Sequence, residues 1–282
     1  MGFGIWNLGF GFWFFISNQS SVFPLIFASM NNSVSPSGAP TTKVVPLPHS
    51  DLSKKEQVAG MFDRIAGKYD FLNHLLSMGI DKGWRKKAIN TLRPIQPKKI
   101  LDVATGTGDL AIAALVLNPD HITGVDISEG MMEFGRKKLA DKNLSGKIDL
   151  QYGDSEALPF DTNYFDAITC AYGVRNFEHL EKGLKDMNRV LRVGGRVAIL
   201  EFSKPKKFPI KQLYQFYFRF ILPTLGKTVS KDATAYTYLP ESVAAFPEGK
   251  QFCDILQGCG FKNVNARALT FGITTLYTGE KA

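Results

Sequence analysis

Lys99-Ile-Leu-Asp102-Val-Ala-Thr-Gly106-Thr-Gly108-Asp109 is the stretch that decides the fold. An apolar run of strand length leads into two glycines, and a helical pattern, Leu110 to Leu117, follows at once. Without Cβ atoms, Gly106 and Gly108 let the backbone approach a ligand closely, at a helix amino end that favours an anionic group. Gly106-Thr-Gly108-Asp-Leu-Ala111 also satisfies the G-x-G-x-x-G/A dinucleotide pattern, so a nicotinamide dehydrogenase stays in play at this point.

Outward from the loop, strand and helix patterns alternate. Ile122 to Val125 reads as a strand ending in Asp126, Glu129 to Ala140 as a helix, and Ile148 to Tyr152 as a strand. Phe165 to Cys170 reads as a buried strand, Leu180 to Leu191 as a helix, and Arg196 to Glu201 as another strand. A helix over Gln251 to Gln257 precedes a terminal strand pair, Phe261 to Leu269 and Ile273 to Thr278. Upstream, Ser53 to Asp70 has helical spacing, with Ser53 and Glu56 as a capping box. A short helix over Phe71 to Ser77 and a third over Asp81 to Leu92 complete the amino-terminal part. Such alternation implies an α/β fold, a mostly parallel sheet with helices on both faces. Ser203 to Gly249 reads as an irregular, aromatic-rich insertion, well placed to cover a ligand at the carboxyl ends of the strands.

Charge separates the two cofactor readings. Asp102, four residues before Gly106, would repel a pyrophosphate but suits the ammonium and sulfonium of S-adenosylmethionine. Asp126 is expected with either cofactor, because both present ribose hydroxyls to a carboxylate. Gly153-Asp154-Ser155, after the third strand, is a further polar turn where an adenine edge could be read. Asp126 as a helix cap and Asp154 as a turn former are the plain structural alternatives. All four features on consecutive βα units favour a methyltransferase.

Bulk properties exclude other classes. The net charge of +8 comes from 34 basic and 26 acidic side chains. No block of five or six basic residues occurs, so no nucleic-acid partner is expected. Cys170, Cys253 and Cys259 match neither a disulfide framework nor a zinc pattern, which points to the cytoplasm. Residues 1–42 carry no charged side chain, and the first is Lys43. We read residues 1–50 as a disordered leader or a misassigned start with Met30 as the true first residue; a membrane-associating tail or a cleaved signal is the alternative. Residues 51–282 then form the enzyme domain, with amino-terminal helices (53–92) and a lid-like insertion (203–249).

Three sequence blocks resemble the UbiE/MenG quinone C-methyltransferases. They are Phe62-Asp-Arg-Ile-Ala-Gly-Lys-Tyr69-Asp-Phe-Leu-Asn73 with Ser77 and Trp84, Ala157-Leu-Pro-Phe160 with Tyr172-Gly-Val-Arg175-Asn176, and Arg189-Val-Leu-Arg-Val-Gly-Gly-Arg-Val-Ala-Ile-Leu-Glu-Phe-Ser203. The resemblance runs from about Lys55 to Lys281. It implies a class I, Rossmann-like methyltransferase with a seven-stranded sheet. It also implies methylation of a ring carbon of a polyprenylated quinol, closer to the menaquinone branch than to the ubiquinone precursor. By matching position it implicates Thr107, Asp126, Asp154, Ser155 and Ala171 in holding the cofactor, beside the Asp102, Gly106 and Gly108 of the loop. Many relatives carry Asn at Asp154, His at Asp81 and Met at Leu72, which puts a catalytic role for Asp81 in doubt.

The chemistry asks for a carbon nucleophile in line with the sulfonium methyl, and for removal of two protons, with no metal. Arg175 is the first candidate for the reacting end; a guanidinium stays protonated and would stabilise a phenolate. Asn176 would orient the quinol oxygen, and Tyr69 with Asp70 would close over the site. Pairing of Arg175 with a structural carboxylate, and Tyr69 as a core aromatic, are the alternatives. His74, His121 and His179 read as structural. Leu213 to Leu222, flanked by Lys206, Lys207, Lys211 and Lys227, suits an amphipathic element at the inner face of a membrane, with a core helix as the alternative. A non-catalytic scaffold built on a methyltransferase fold is disfavoured by the intact cofactor positions, and the oligomeric state is left open.

Overall fold

The computed structural model describes residues 44–77, 79–217, 220 and 234–282. The expectations for residues 1–43, for Lys227, and for positions 218, 219, 221 and 222 of the Leu213 to Leu222 run lie outside them.

Seven strands form one sheet in the order β3-β2-β1-β4-β5-β7-β6. They are β1 (Lys99–Val103), β2 (His121–Asp126), β3 (Ile148–Tyr152), β4 (Phe165–Ala171), β5 (Leu191–Phe202), β6 (Phe261–Leu269) and β7 (Thr274–Lys281). The first five run parallel, and β7 inserts antiparallel between β5 and β6. The chain winds one way from β1 to β3 and the other way from β4, so a crevice opens at the carboxyl ends of β1 and β4. That switch point is where sheets of this kind bind ligands.

Burial on both faces explains the near-continuous apolar runs in the central strands. Leu101, Val103, Ile168, Cys170, Val197 and Ile199 pack on one side against α5 (Leu180–Val190) and α8 (Lys250–Gly258), through Leu184, Met187, Phe252 and Leu256. Their alternates, Ile100, Ala167, Ala198 and Leu200, face α2 (Ile80–Leu92), α3 (Asp109–Ala114) and α4 (Glu129–Asp141) through Trp84, Ile89, Leu110 and Met132. Strand periodicity of two therefore sorts each strand into two cores.

Two sequence expectations change. The two helices expected over Ser53 to Asp70 and Phe71 to Ser77 are one, α1 (Lys54–Leu76). No breaker interrupts the chain near Asp70, so the helix continues. Its capping box forms as expected: the Ser53 hydroxyl and amide both donate to Glu56 Oε2, at 2.7 and 2.8 Å. The insertion expected to be irregular contains α6 (Ile210–Phe216) and α7 (Thr234–Ala245). Pro240 lies inside α7, where it removes one backbone donor and disguises the helix in the sequence.

Candidate active site

The cleft floor is built by the loop after β1. Ala104 and Gly106 both have φ 54°, a left-handed conformation that comes without strain only at glycine. Asp102 does not reach the cleft. It is 1% exposed beneath the loop, with Oδ2 accepting from Thr105 at 2.7 Å and Oδ1 from Thr169 at 2.6 Å. Burial pushes its carboxyl up to about 6, partly opposed by those two hydroxyls. It remains ionised at neutral pH and sets a negative field under the loop.

Asp126 ties the loop to β2. Its Oδ2 accepts from Gly106 N at 2.8 Å and its Oδ1 from Ser128 N at 2.9 Å, and the side chain lines the cleft. Burial raises its carboxyl, and the backbone donors oppose the rise. The cap of α4, the alternative role weighed for Asp126, belongs to Ser128, whose hydroxyl accepts from Met131 N at 3.3 Å. Asp154, Ser155 and Ala171 line the same cleft, Asp154 bonded to Lys55 of α1.

Thr107 and Gly108 take the other side of the loop. The Thr107 hydroxyl donates to Asp70 Oδ1 at 2.5 Å, accepts from Lys138 Nζ at 3.0 Å, and borders a neighbouring cavity with Gly67 and Phe134. Lys138 also pairs with Asp70 and, at 2.8 Å, with Asp109. Arg85 joins Asp109 at 2.9 Å to Asp81 at 2.5 Å. This chain of charges clamps α1, α2 and α4 to the loop. It gives Asp70 and Asp81 positioning roles in place of contact with the cleft.

The reacting end is the turn after β4. Arg175 is 6% exposed, and its Nη1 donates to Glu201 Oε1 at 3.0 Å; its backbone N–H donates to Glu201 Oε2 at 3.3 Å. Burial is the largest influence and opposes the guanidinium charge, but the facing Glu201 carboxylate together with Tyr238 and Tyr69 reverses it and raises the Arg175 pKa. Arg175 Nε, also buried, has no hydrogen-bond partner among the described residues. Asn176 lines the cleft, its Oδ1 accepting from the Tyr238 hydroxyl at 3.1 Å. Lys54 Nζ donates to the carbonyls of Arg175 at 3.1 Å and Phe177 at 3.0 Å, and burial lowers its pKa to about 8. Tyr69 lines the cleft from α1, its ring 5.8 Å from Phe62 in an edge contact.

The structure thus gathers Tyr69, Gly106, Asp126, Asp154, Ser155, Ala171 and Asn176 on one cleft, with Arg175 just behind. Sequence reasoning missed Glu201, Lys54, Lys55 and Tyr238. Only Glu201 left a signal, a carboxylate closing the apolar run Val197 to Leu200. His121 and His179, read as structural, pair with Asp149 at 3.0 Å and Glu156 at 2.9 Å.

Known proteins resemble this chain in sequence and in fold. The model of the ubiE/COQ5 methyltransferase family matches residues 50–281. The chain is 52% identical over 243 residues to a demethylmenaquinone methyltransferase of Bacteroides fragilis, covering 86% of this chain and 99% of that protein. It is 48% identical over 230 residues to a ubiquinone/menaquinone biosynthesis C-methyltransferase UbiE of Geotalea daltonii, covering 81% and 97%. Among solved structures, a SAM-dependent methyltransferase of Thermotoga maritima matches with TM-score 0.55 at 17% identity, over 79% of this chain and 99% of that one. The [4+2]-cyclase SpnF matches with TM-score 0.55 at 16% identity, over 80% and 96%. At such identities these two share the fold alone.

Proposed function

Because the chain belongs to the ubiE/COQ5 methyltransferase family, we propose that it transfers a methyl group from S-adenosylmethionine to a ring carbon of a polyprenylated demethylmenaquinol, the final step of menaquinone formation. The observation that carries the substrate is the 52% identity to the demethylmenaquinone methyltransferase of Bacteroides fragilis, spanning nearly all of that protein. The UbiE relatives, named for both quinones, favour a second reading in which the benzoquinol precursor of ubiquinone is also accepted.

The cleft fits the cofactor on its own chemistry. Ala104, Gly106 and Gly173 make a floor of small residues. A Cβ on Gly106 would come within 3.2 Å of Met131 Cε. Asp126 supplies an acceptor for ribose hydroxyls, and Asp154 with Ser155 would meet the adenine amino edge. When bound, S-adenosylmethionine supplies an electrophilic methyl on a sulfonium centre. Asp102 favours that positive charge through its field, from below the loop.

The ring carbon becomes nucleophilic as the adjacent quinol hydroxyl loses its proton. Arg175, kept cationic by Glu201, stabilises the phenolate and does not itself take the proton. Asn176, anchored by Tyr238, orients the quinol oxygen, and Tyr69 shuts the cleft from α1. Deletion of the gene tests the assignment. Accumulating demethylmenaquinone supports it, whereas an unmethylated benzoquinone alone would replace it with the ubiquinone-precursor reading.

A further inference from the structure

We propose that α6, together with the β6–β7 turn, is a docking surface for an anionic phospholipid membrane. The proposal rests on the reading that the substrate carries a prenyl chain, and it names where the protein meets the lipid that holds it.

α6 and the residues just beyond it are apolar on two sides. Ile210, Tyr214 and Tyr217, spaced as one helical face, are half-buried. Leu213, Phe216 and Phe220 form a second face and are exposed by 45%, 48% and 55%, with the two phenyl rings 5.2 Å apart. A helix on a water-facing surface normally carries charge on its outer side. Phe208, just before α6, is 80% exposed, and Phe271 on the β6–β7 turn is 78% exposed. The turn is bonded to the segment leading into α6: the Ser203 hydroxyl donates to Gly272 O, and Ser203 N to Ile273 O, both at 2.9 Å.

Charge selects the occupant. No Asp or Glu occurs between Ser203 and Phe220, while Lys206, Lys207 and Lys211 of the same segment are exposed; Glu248 approaches Lys206 at 3.9 Å and leaves the other two lysines to dominate. Basic side chains around apolar ones suit anionic headgroups over an acyl layer, and the same charges repel a second copy of this face. Among the described residues no helix is long and apolar enough to cross a membrane. The inner side of α6 lies toward the reacting end, since Tyr214 is within electrostatic reach of Arg175 and Glu201. A quinol entering past α6 would travel from lipid directly to those side chains.

The full-length chain would be sedimented with vesicles of phosphatidylcholine, alone or mixed with phosphatidylglycerol. Binding to the mixed vesicles that weakens with salt is expected. At about fivefold per lysine, the triple variant Lys206→Glu, Lys207→Glu, Lys211→Glu should weaken it by about 100-fold, and the double variant Phe208→Ser, Phe271→Ser should weaken it without changing the melting temperature. Either variant binding like the parent, or equal binding of the parent to both vesicle types, overturns the proposal. Turnover of a short-chain soluble quinol should stay at the parent level in both variants, while turnover of a long-chain quinol in vesicles falls; equal loss on both substrates overturns it too. If vesicle binding behaves as expected and neither quinol is methylated, the docking surface stands and the proposed reaction falls.

Discussion

Glu201 and Arg175 face each other at 3.0 Å, Glu201 wholly buried and Arg175 nearly so. Desolvating two charges is expensive, and packed apolar residues would often serve stability as well or better. The pair makes sense where a fixed cation is needed beside a cleft.

Removing one partner exposes both sides of that bargain. Glu201→Gln strands the guanidinium and should lower stability by about 3–5 kcal/mol, read from the shift of a urea unfolding curve. Arg175→Ala should leave S-adenosylmethionine binding near normal by calorimetry, while turnover falls by about 10²–10³. Unchanged turnover would remove Arg175 from the reaction.

Asp154 invites a graded test. Asp154→Asn keeps an acceptor for an adenine amino group and loses only the carboxylate charge that pairs with Lys55. Its cofactor affinity should stay within a few-fold of the parent, whereas Asp154→Ala should weaken binding by about tenfold. Equal affinity in the two variants would take the adenine contact away from this residue.

A methyl group at Gly173 has nowhere to go. Its Cβ would sit 2.4 Å from Ala104 Cβ and 3.0 Å from Cys170 Sγ. Gly173→Ala should therefore cost about 1–3 kcal/mol of stability through overpacking. Because Ala104 lines the cleft floor, cofactor affinity should drop with it, and calorimetry would show whether the two effects travel together.

The Asp102 carboxyl, raised to about 6 by burial, gives a pH dependence of stability with a definite sign. Between the ordinary carboxyl range near 3.8 and about 6, the folded protein keeps a proton that the unfolded chain has released. This group's contribution therefore falls as pH rises through that window, and the full penalty of its burial is present above it. Relative to Asp102→Asn, the parent should lose stability from pH 4 to pH 6 in paired denaturant titrations; a flat difference would mean that Asp102 is not raised.

What was legible in the sequence was local. Lys99 to Val103, the glycine pair and Asp126 follow from strand periodicity and turn chemistry within a few residues. Contacts between distant elements were not. Glu201 meets Arg175 across 26 positions and Thr107 meets Asp70 across 37, separations at which neither periodicity nor a motif assigns a partner. Lys54 and Lys55 open a helix, where cations are expected to face water; only the packing of α1 over the cleft turns them inward. The aromatic crowd between Ser203 and Gly249, broken by Pro240, hid two helices behind residues that carry no clear period.

α1 meets the cleft at both ends, through Lys55 at Asp154 and through Lys54 at the carbonyl of Arg175, whereas the proposed lipid contact lies on α6. On the proposed membrane contact, cofactor exchange past α1 leaves α6 on the lipid, so repeated rounds need not be separated by desorption. Residence on the bilayer and nucleoside exchange are then set by separate elements, and a mutation can lengthen one without slowing the other.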